Sequence, residues 1–90
     1  MEVPPIKITK SVRAVLLALH QKAGVKLSVQ ELARTTRLGP HTVRTALSGL
    51  EKGKLVQHVL QEHVKDRPPH LVYWITQAGR HVAADQVSKT

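Results

Sequence analysis

Apolar residues recur along the first half of the chain at the spacing of a helix. Val12, Val15, Leu16 and Leu19 fall at i, i+3, i+4 and i+7, which puts them on one face, with Arg13, His20 and Gln21 opposite. Thr9 precedes this stretch as a side-chain cap, and Gly24 follows it as the residue that ends the helix. Val25-Lys26-Leu27 reads as a short extended connector. Ser28 with Glu31 three residues later has the form of a capping box, opening a second helix marked by Val29, Leu32, Ala33 and Thr36. Arg37-Leu38-Gly39 forms a tight turn with Leu38 directed into the core. Pro40 then suits the first position of a third helix, where its missing N–H costs nothing. There Val43, Ala46, Leu47 and Leu50 face inward, leaving His41, Thr42, Arg44, Thr45 and Ser48 outward, and Gly53 stops the run.

The period then changes to that of strands. Leu55–Leu60 and Leu71–Ile75 are β-prone runs joined by a polar, proline-containing loop, the pattern of a hairpin with a long tip. Thr76 caps a last helix with a weak stripe of Ala78, Val82, Ala83 and Val87. The expected fold class is mainly α with a small β-hairpin (α+β), in the order helix-helix-helix-strand-strand-helix. Residues 1–8 form an N-terminal arm, 9–76 the main domain, and 77–90 a C-terminal helix.

Residues 28–50 change the picture from fold to chemistry. Two short amphipathic helices joined by a glycine-containing turn describe a helix-turn-helix. The major groove of B-DNA admits one α-helix, whose N-terminal side chains reach the base edges. Pro40, His41, Thr42, Arg44, Thr45 and Ser48 make the candidate recognition face, with Arg44 able to pair bidentately with guanine. A hairpin directly after such a helix is a wing. Its tip, within 61–70, carries Lys65, Arg67 and His70 as candidates for the phosphate backbone or minor groove. Lys26, Ser28, Arg34 and Arg37 are candidate phosphate contacts.

Charge agrees with that reading. The 90 residues carry 14 Lys plus Arg against 6 Asp plus Glu, a net +8, so a polyanion is the expected partner. The excess is concentrated: residues 1–50 hold eight cations and two anions, residues 51–90 six cations and four anions. The cations alternate with apolar residues instead of forming a block, which points to a folded basic surface. The absence of cysteine excludes a disulfide scaffold, an iron–sulfur cluster, a thiol nucleophile and a thiolate zinc site. The six histidines show no i, i+4 pair and suggest no metal. No Gly-rich phosphate loop or nucleophile elbow appears, so an enzyme is not expected, nor a cofactor or small-molecule ligand. The longest apolar run, Ala14–Leu19, is too short for a membrane span, and no signal peptide is evident. A cytoplasmic, nucleoid-associated protein is the expectation.

From Thr9 to Arg80 the chain resembles bacterial winged helix-turn-helix transcriptional regulators of the MarR and PadR kind. The matching pieces are Ser28-Val29-Gln30-Glu31-Leu32-Ala33, Thr42-Val43-Arg44-Thr45-Ala46-Leu47, Leu50-Glu51-Lys52-Gly53-Lys54-Leu55-Val56 and Tyr73-Trp74-Ile75-Thr76-Gln77-Ala78-Gly79-Arg80. The opening helix, with Val15-Leu16-Leu17-Ala18-Leu19, is closer to the PadR type. The resemblance implies sequence-specific binding of double-stranded DNA, as a repressor, by a homodimer paired through the N- and C-terminal helices. It also implies that Tyr73 faces inward, leaving Trp74 to pack under the last helix or join a dimer surface, with packing favoured. Lys54 stands between Gly53 and the Leu55-Val56 pair, where the family's glycine usually adjoins it, so the corner differs by one residue. The competing readings are a winged-helix protein-interaction module, against which the charge argues, a plasmid or phage replication or DNA-structural factor using the same contacts, and an RNA-binding winged helix, against which the single Trp and single Tyr argue.

Overall fold

Side-chain caps set where the helices begin. In the computed structural model, which describes residues 8–22, 25–62, 66 and 68–88, Thr9 accepts a hydrogen bond from the Val12 N–H at 3.2 Å and opens α1 (Lys10–Gln21). Ser28 Oγ accepts from the Glu31 N–H, and Glu31 Oε1 accepts from the Ser28 N–H, both at 3.2 Å. This reciprocal box starts α2 (Val29–Thr36). Gly39 and Pro40 start α3 (Pro40–Lys52) without a side-chain cap. The hairpin strands are Val56–Gln61 and His70–Ile75, and the last helix is Gln77–Ser88. The assignment of Gly24 as a helix stop, and nearly all of the N-terminal arm, lie outside the described residues.

One element was not anticipated. Leu27–Ser28 is a strand, not a connector: Leu27 pairs with Tyr73 and Ser28 with Val72. In chain order the strands are therefore β1 (Leu27–Ser28), β2 (Val56–Gln61) and β3 (His70–Ile75), forming an antiparallel sheet in the order β1-β3-β2. Two residues are too few to display an alternating pattern, so the third strand leaves no periodic mark in the sequence.

The core lies where α1, α2 and α3 meet the base of the sheet. Val15, Leu16, Leu19, Leu32, Val43, Leu47, Leu50, Leu55 and Val56 are fully enclosed. The last helix, α4 (Gln77–Ser88), packs on α1 and contributes Ala83 to the same core, with Ala78 and Val82 at its margin. Val87, expected in that stripe, is exposed, because the helix has by then passed the end of the core. Arg13 and His20, expected on the polar face of α1, are half-buried. Leu38 packs against the core from the α2–α3 turn.

Both turns around α3 use left-handed backbone at residues other than glycine. Arg37 caps α2 at φ 62°, and Lys54 follows α3 at φ 62°, whereas Gly53 has φ −87°. The corner displaced by one residue thus places its left-handed position on Lys54. Hydrogen bonds hold it there. Leu55 N–H donates to Leu50 O, Thr76 N–H to Leu55 O, and the Thr76 hydroxyl to Lys54 O at 2.8 Å. The same hydroxyl accepts from Gly79 N–H at 3.1 Å, so Thr76 caps α4 and fastens it to the corner.

Candidate nucleic-acid interface

α3 has two unlike faces. Val43, Ala46, Leu47 and Leu50 are buried, while Pro40, His41, Arg44, Thr45 and Ser48 are exposed. Thr42 departs from the expected outward set and is half-buried, since it lies one residue from Val43 at the edge of the packed face. The Thr45 hydroxyl donates back to His41 O at 3.1 Å, which leaves its lone pairs and methyl for any outside contact. No acidic side chain lies on α3 before Glu51. With no side-chain cap at Gly39, the open N–H groups of the first turn present the positive end of the helix to solvent.

Arg44 sits on the side of α3 nearest the wing. Together with Ser28, Val29, Gln30, Pro68, His70 and Leu71 it lines an open cleft of about 390 Å³ between α3, the start of α2 and the hairpin. Its charge reaches Tyr73: burial, with the Glu51 carboxylate adding to it, pushes the phenol above its usual value, and the Arg44 guanidinium pulls it partly back.

The far end of α3 is joined to the wing. Glu51 Oε1 meets His58 Nδ1 on β2, and the His58 ring lies against Tyr73, with centroids 5.6 Å apart and planes tilted by 48°. Glu51 and His58 were not among the expected site residues. A Glu and a His seven positions apart across a corner form no sequence motif.

The remaining expected residues separate. Lys65 and Arg67 lie outside the described residues. His70 is the first residue of β3, not part of the loop, and its half-buried ring donates through Nδ1 to Pro68 O at 3.1 Å. Ser28 is a correction: it is only 5% exposed, paired in β1 and engaged in the capping box, so it is not presented to a phosphate. Arg34 and Arg37 are exposed. Lys26 is exposed and holds its Nζ 5.4 Å from the centre of the Trp74 ring. Tyr73 faces the core as expected, and half-buried Trp74 points from the other side of β3. On that side the Lys26 ammonium lies over its ring.

Among the described residues, no three His, Asp or Glu side chains converge on a metal-sized site, and no helix is long and apolar enough to cross a membrane.

No protein-family model matches the chain, and no curated protein does. Solved structures do. MepR of S. aureus, determined in complex with DNA, superposes with a TM-score of 0.75 at 20% identity, over 90% of this chain and 63% of that one. ZitR of Lactococcus lactis, a zinc-responsive MarR family member, gives 0.72 at 17% identity, over 98% of this chain and 58% of its own. The adhesin competence repressor AdcR of Streptococcus pyogenes gives 0.75 at 17%, over 93% and 57%. The chain thus spans little more than half the length of the solved structures it matches. At these identities the likeness is one of fold, and the fold is a MarR-like winged helix.

Proposed function

We propose that this chain binds double-stranded DNA sequence-specifically and regulates transcription, as a repressor that occludes its promoter. In this reading α3 enters the major groove, and the wing, including Lys65, Arg67 and His70, rests on the adjacent backbone or minor groove. The observation that carries the proposal is the two-faced α3. One side is locked into the core, and the other presents Pro40, His41, Arg44, Thr45 and Ser48 without an acid among them, on a chain of net +8. A helix so held offers its side chains to base edges from a fixed frame. That MepR was determined with DNA on the same fold supports the reading. Two copies paired through α1 and α4 complete it.

The test is binding to a selected duplex, measured by fluorescence anisotropy. Arg44→Ala should cost about 1–3 kcal/mol and relax preference at one position of the site. Lys65→Ala and Arg67→Ala should weaken all sequences alike and reduce the salt slope. Unchanged affinity and unchanged preference in Arg44→Ala, with the fold intact by circular dichroism, would reject the assigned mode.

A further inference from the structure

The strand order β1-β3-β2 leaves β2 at the edge of the sheet, with no partner on its outer side among the described residues. A free edge presents a row of unpaired backbone donors and acceptors, and soluble proteins ordinarily blunt it with lysine, proline or a bulge. β2 has none of these. Its sequence, Val56-Gln57-His58-Val59-Leu60-Gln61, contains no Lys, Pro, Asp or Glu, and its register with β3 runs unbroken from Val56–Ile75 to Gln61–His70. All of its residues after Val56 are exposed. Of the five large hydrophobic side chains exposed among the described residues, three belong to this hairpin: Val59 at 41%, Leu60 at 48% and Leu71 at 40%. Leu60 and Leu71 are cross-strand partners on the face shared with His58 and Tyr73, and Val59 projects from the opposite face.

We infer that β2 pairs, edge to edge and antiparallel, with β2 of a second copy of this chain. Charge selects the occupant. Two chains of +8 repel one another over most of their surface, and β2 is a neutral strip on which they can meet without opposing like charges. An acidic extended partner would be drawn to the basic residues and would gain no ion pair along this strand. The pattern also fits a two-fold axis. With the pair centred on Val59, the two Val59 side chains lie together on one face. On the other, each Leu60 stands beside the partner copy's position 58, extending the Leu60–Leu71 patch across the junction. This contact is separate from the α1 and α4 pairing proposed above and does not rest on DNA binding.

The chain's lack of cysteine makes the test direct. In the centred register, position 59 faces itself across about 4.5–5.5 Å, within the reach of a disulfide. Position 57 faces position 61, which leaves two copies of position 57 separated by about 13 Å along the strands. Under mild oxidation, Val59→Cys should give a reducible covalent dimer at least tenfold faster than Gln57→Cys, although both positions are exposed on the same face. Equal rates at the two positions, as collisions or a contact through the helices would produce, would overturn the pairing, as would no dimer in either variant. As a second measurement on the full chain, Val59→Lys should lower the self-association constant at least tenfold by sedimentation equilibrium. An unchanged constant would overturn it.

Discussion

Replacing Gly79 by alanine sets two effects of opposite sign against each other. Gly79 lies in the first turn of α4, where alanine is the better helix former by up to about 1 kcal/mol. Space decides otherwise. A Cβ at position 79 would lie 2.2 Å from Leu55 O, 3.0 Å from Leu55 C and 2.7 Å from Ile75 Cγ1. Two of these three atoms are backbone, and Leu55 O already accepts from the Thr76 N–H, so the corner cannot yield without loosening the bonds that fasten α4. Overpacking of this kind costs roughly 1–3 kcal/mol, and a weakened Thr76–Leu55 bond adds up to about 1 kcal/mol. The net expectation is a loss of about 1–3 kcal/mol, or a fall in Tm of at least about 4 °C for a domain of this size. Gly49 is the control. It lies inside α3 with nothing within 4 Å of its would-be Cβ, so Gly49→Ala should stabilise by about 1 kcal/mol through helix propensity. Urea unfolding followed by far-ultraviolet circular dichroism and by emission of the single tryptophan measures both. Equal signs for the two substitutions, or a Gly79→Ala protein as stable as the parent, would refute the claim that close approach at Leu55 governs this position.

Two further predictions concern strain and pH. Lys54→Gly removes a side chain from left-handed backbone at φ 62° and should stabilise by about 0.5–1 kcal/mol in urea unfolding, the relief of strain exceeding the added freedom of the unfolded chain. Tyr73 is the only tyrosine, so the tyrosinate absorbance reports it alone, and its midpoint should lie above the ordinary 10.0. Because the folded phenol holds its proton more tightly than the unfolded one, the associated stability is complete below pH 10.0 and is lost as pH rises from there through the folded midpoint. Tyr73→Phe should flatten that alkaline loss, and Arg44→Ala should move the midpoint of Tyr73 higher. A midpoint at or below 10.0 would refute the assigned burial.

What was legible in the sequence was whatever a single period or a local exchange of hydrogen bonds can write. The inward face of α3 and the Ser28–Glu31 box are local features and stand where the spacing put them. β1 has no period to display, and its partner β3 lies more than forty residues away, so nothing near Leu27 announces a strand. That pairing also explains Ser28. The hydroxyl suited to a phosphate is the one that caps α2, and the strand enclosing it could not be foreseen. Left-handed turns are usually announced by glycine. Here Arg37 and Lys54 take them, held by the packing of Leu38 and by the Thr76–Lys54 bond. Lys26 and Trp74 meet only because β1 lies beside β3.

The least legible part of the candidate site is the one that relates its two arms. Periodicity gives α3 and the hairpin separately and is silent on the angle between them. In the structure α3 faces the hairpin across a cleft near its middle and is joined to it at its end. Near its middle, Arg44 faces the cleft toward Leu71 and His70, and its charge is felt at Tyr73. At its end, Glu51 engages His58, whose ring rests on the same tyrosine. Tyr73 thus projects from the hairpin into the core, with the His58 ring against it and the charges of Glu51 and Arg44 within electrostatic reach. If α3 and the wing meet one duplex, the Glu51–His58 contact helps them arrive already oriented to one another, which lowers the ordering cost of binding. Substitutions at Glu51 or His58 would then weaken DNA binding without touching DNA, through the placement of the wing, whereas Arg44→Ala would change which sequence is preferred.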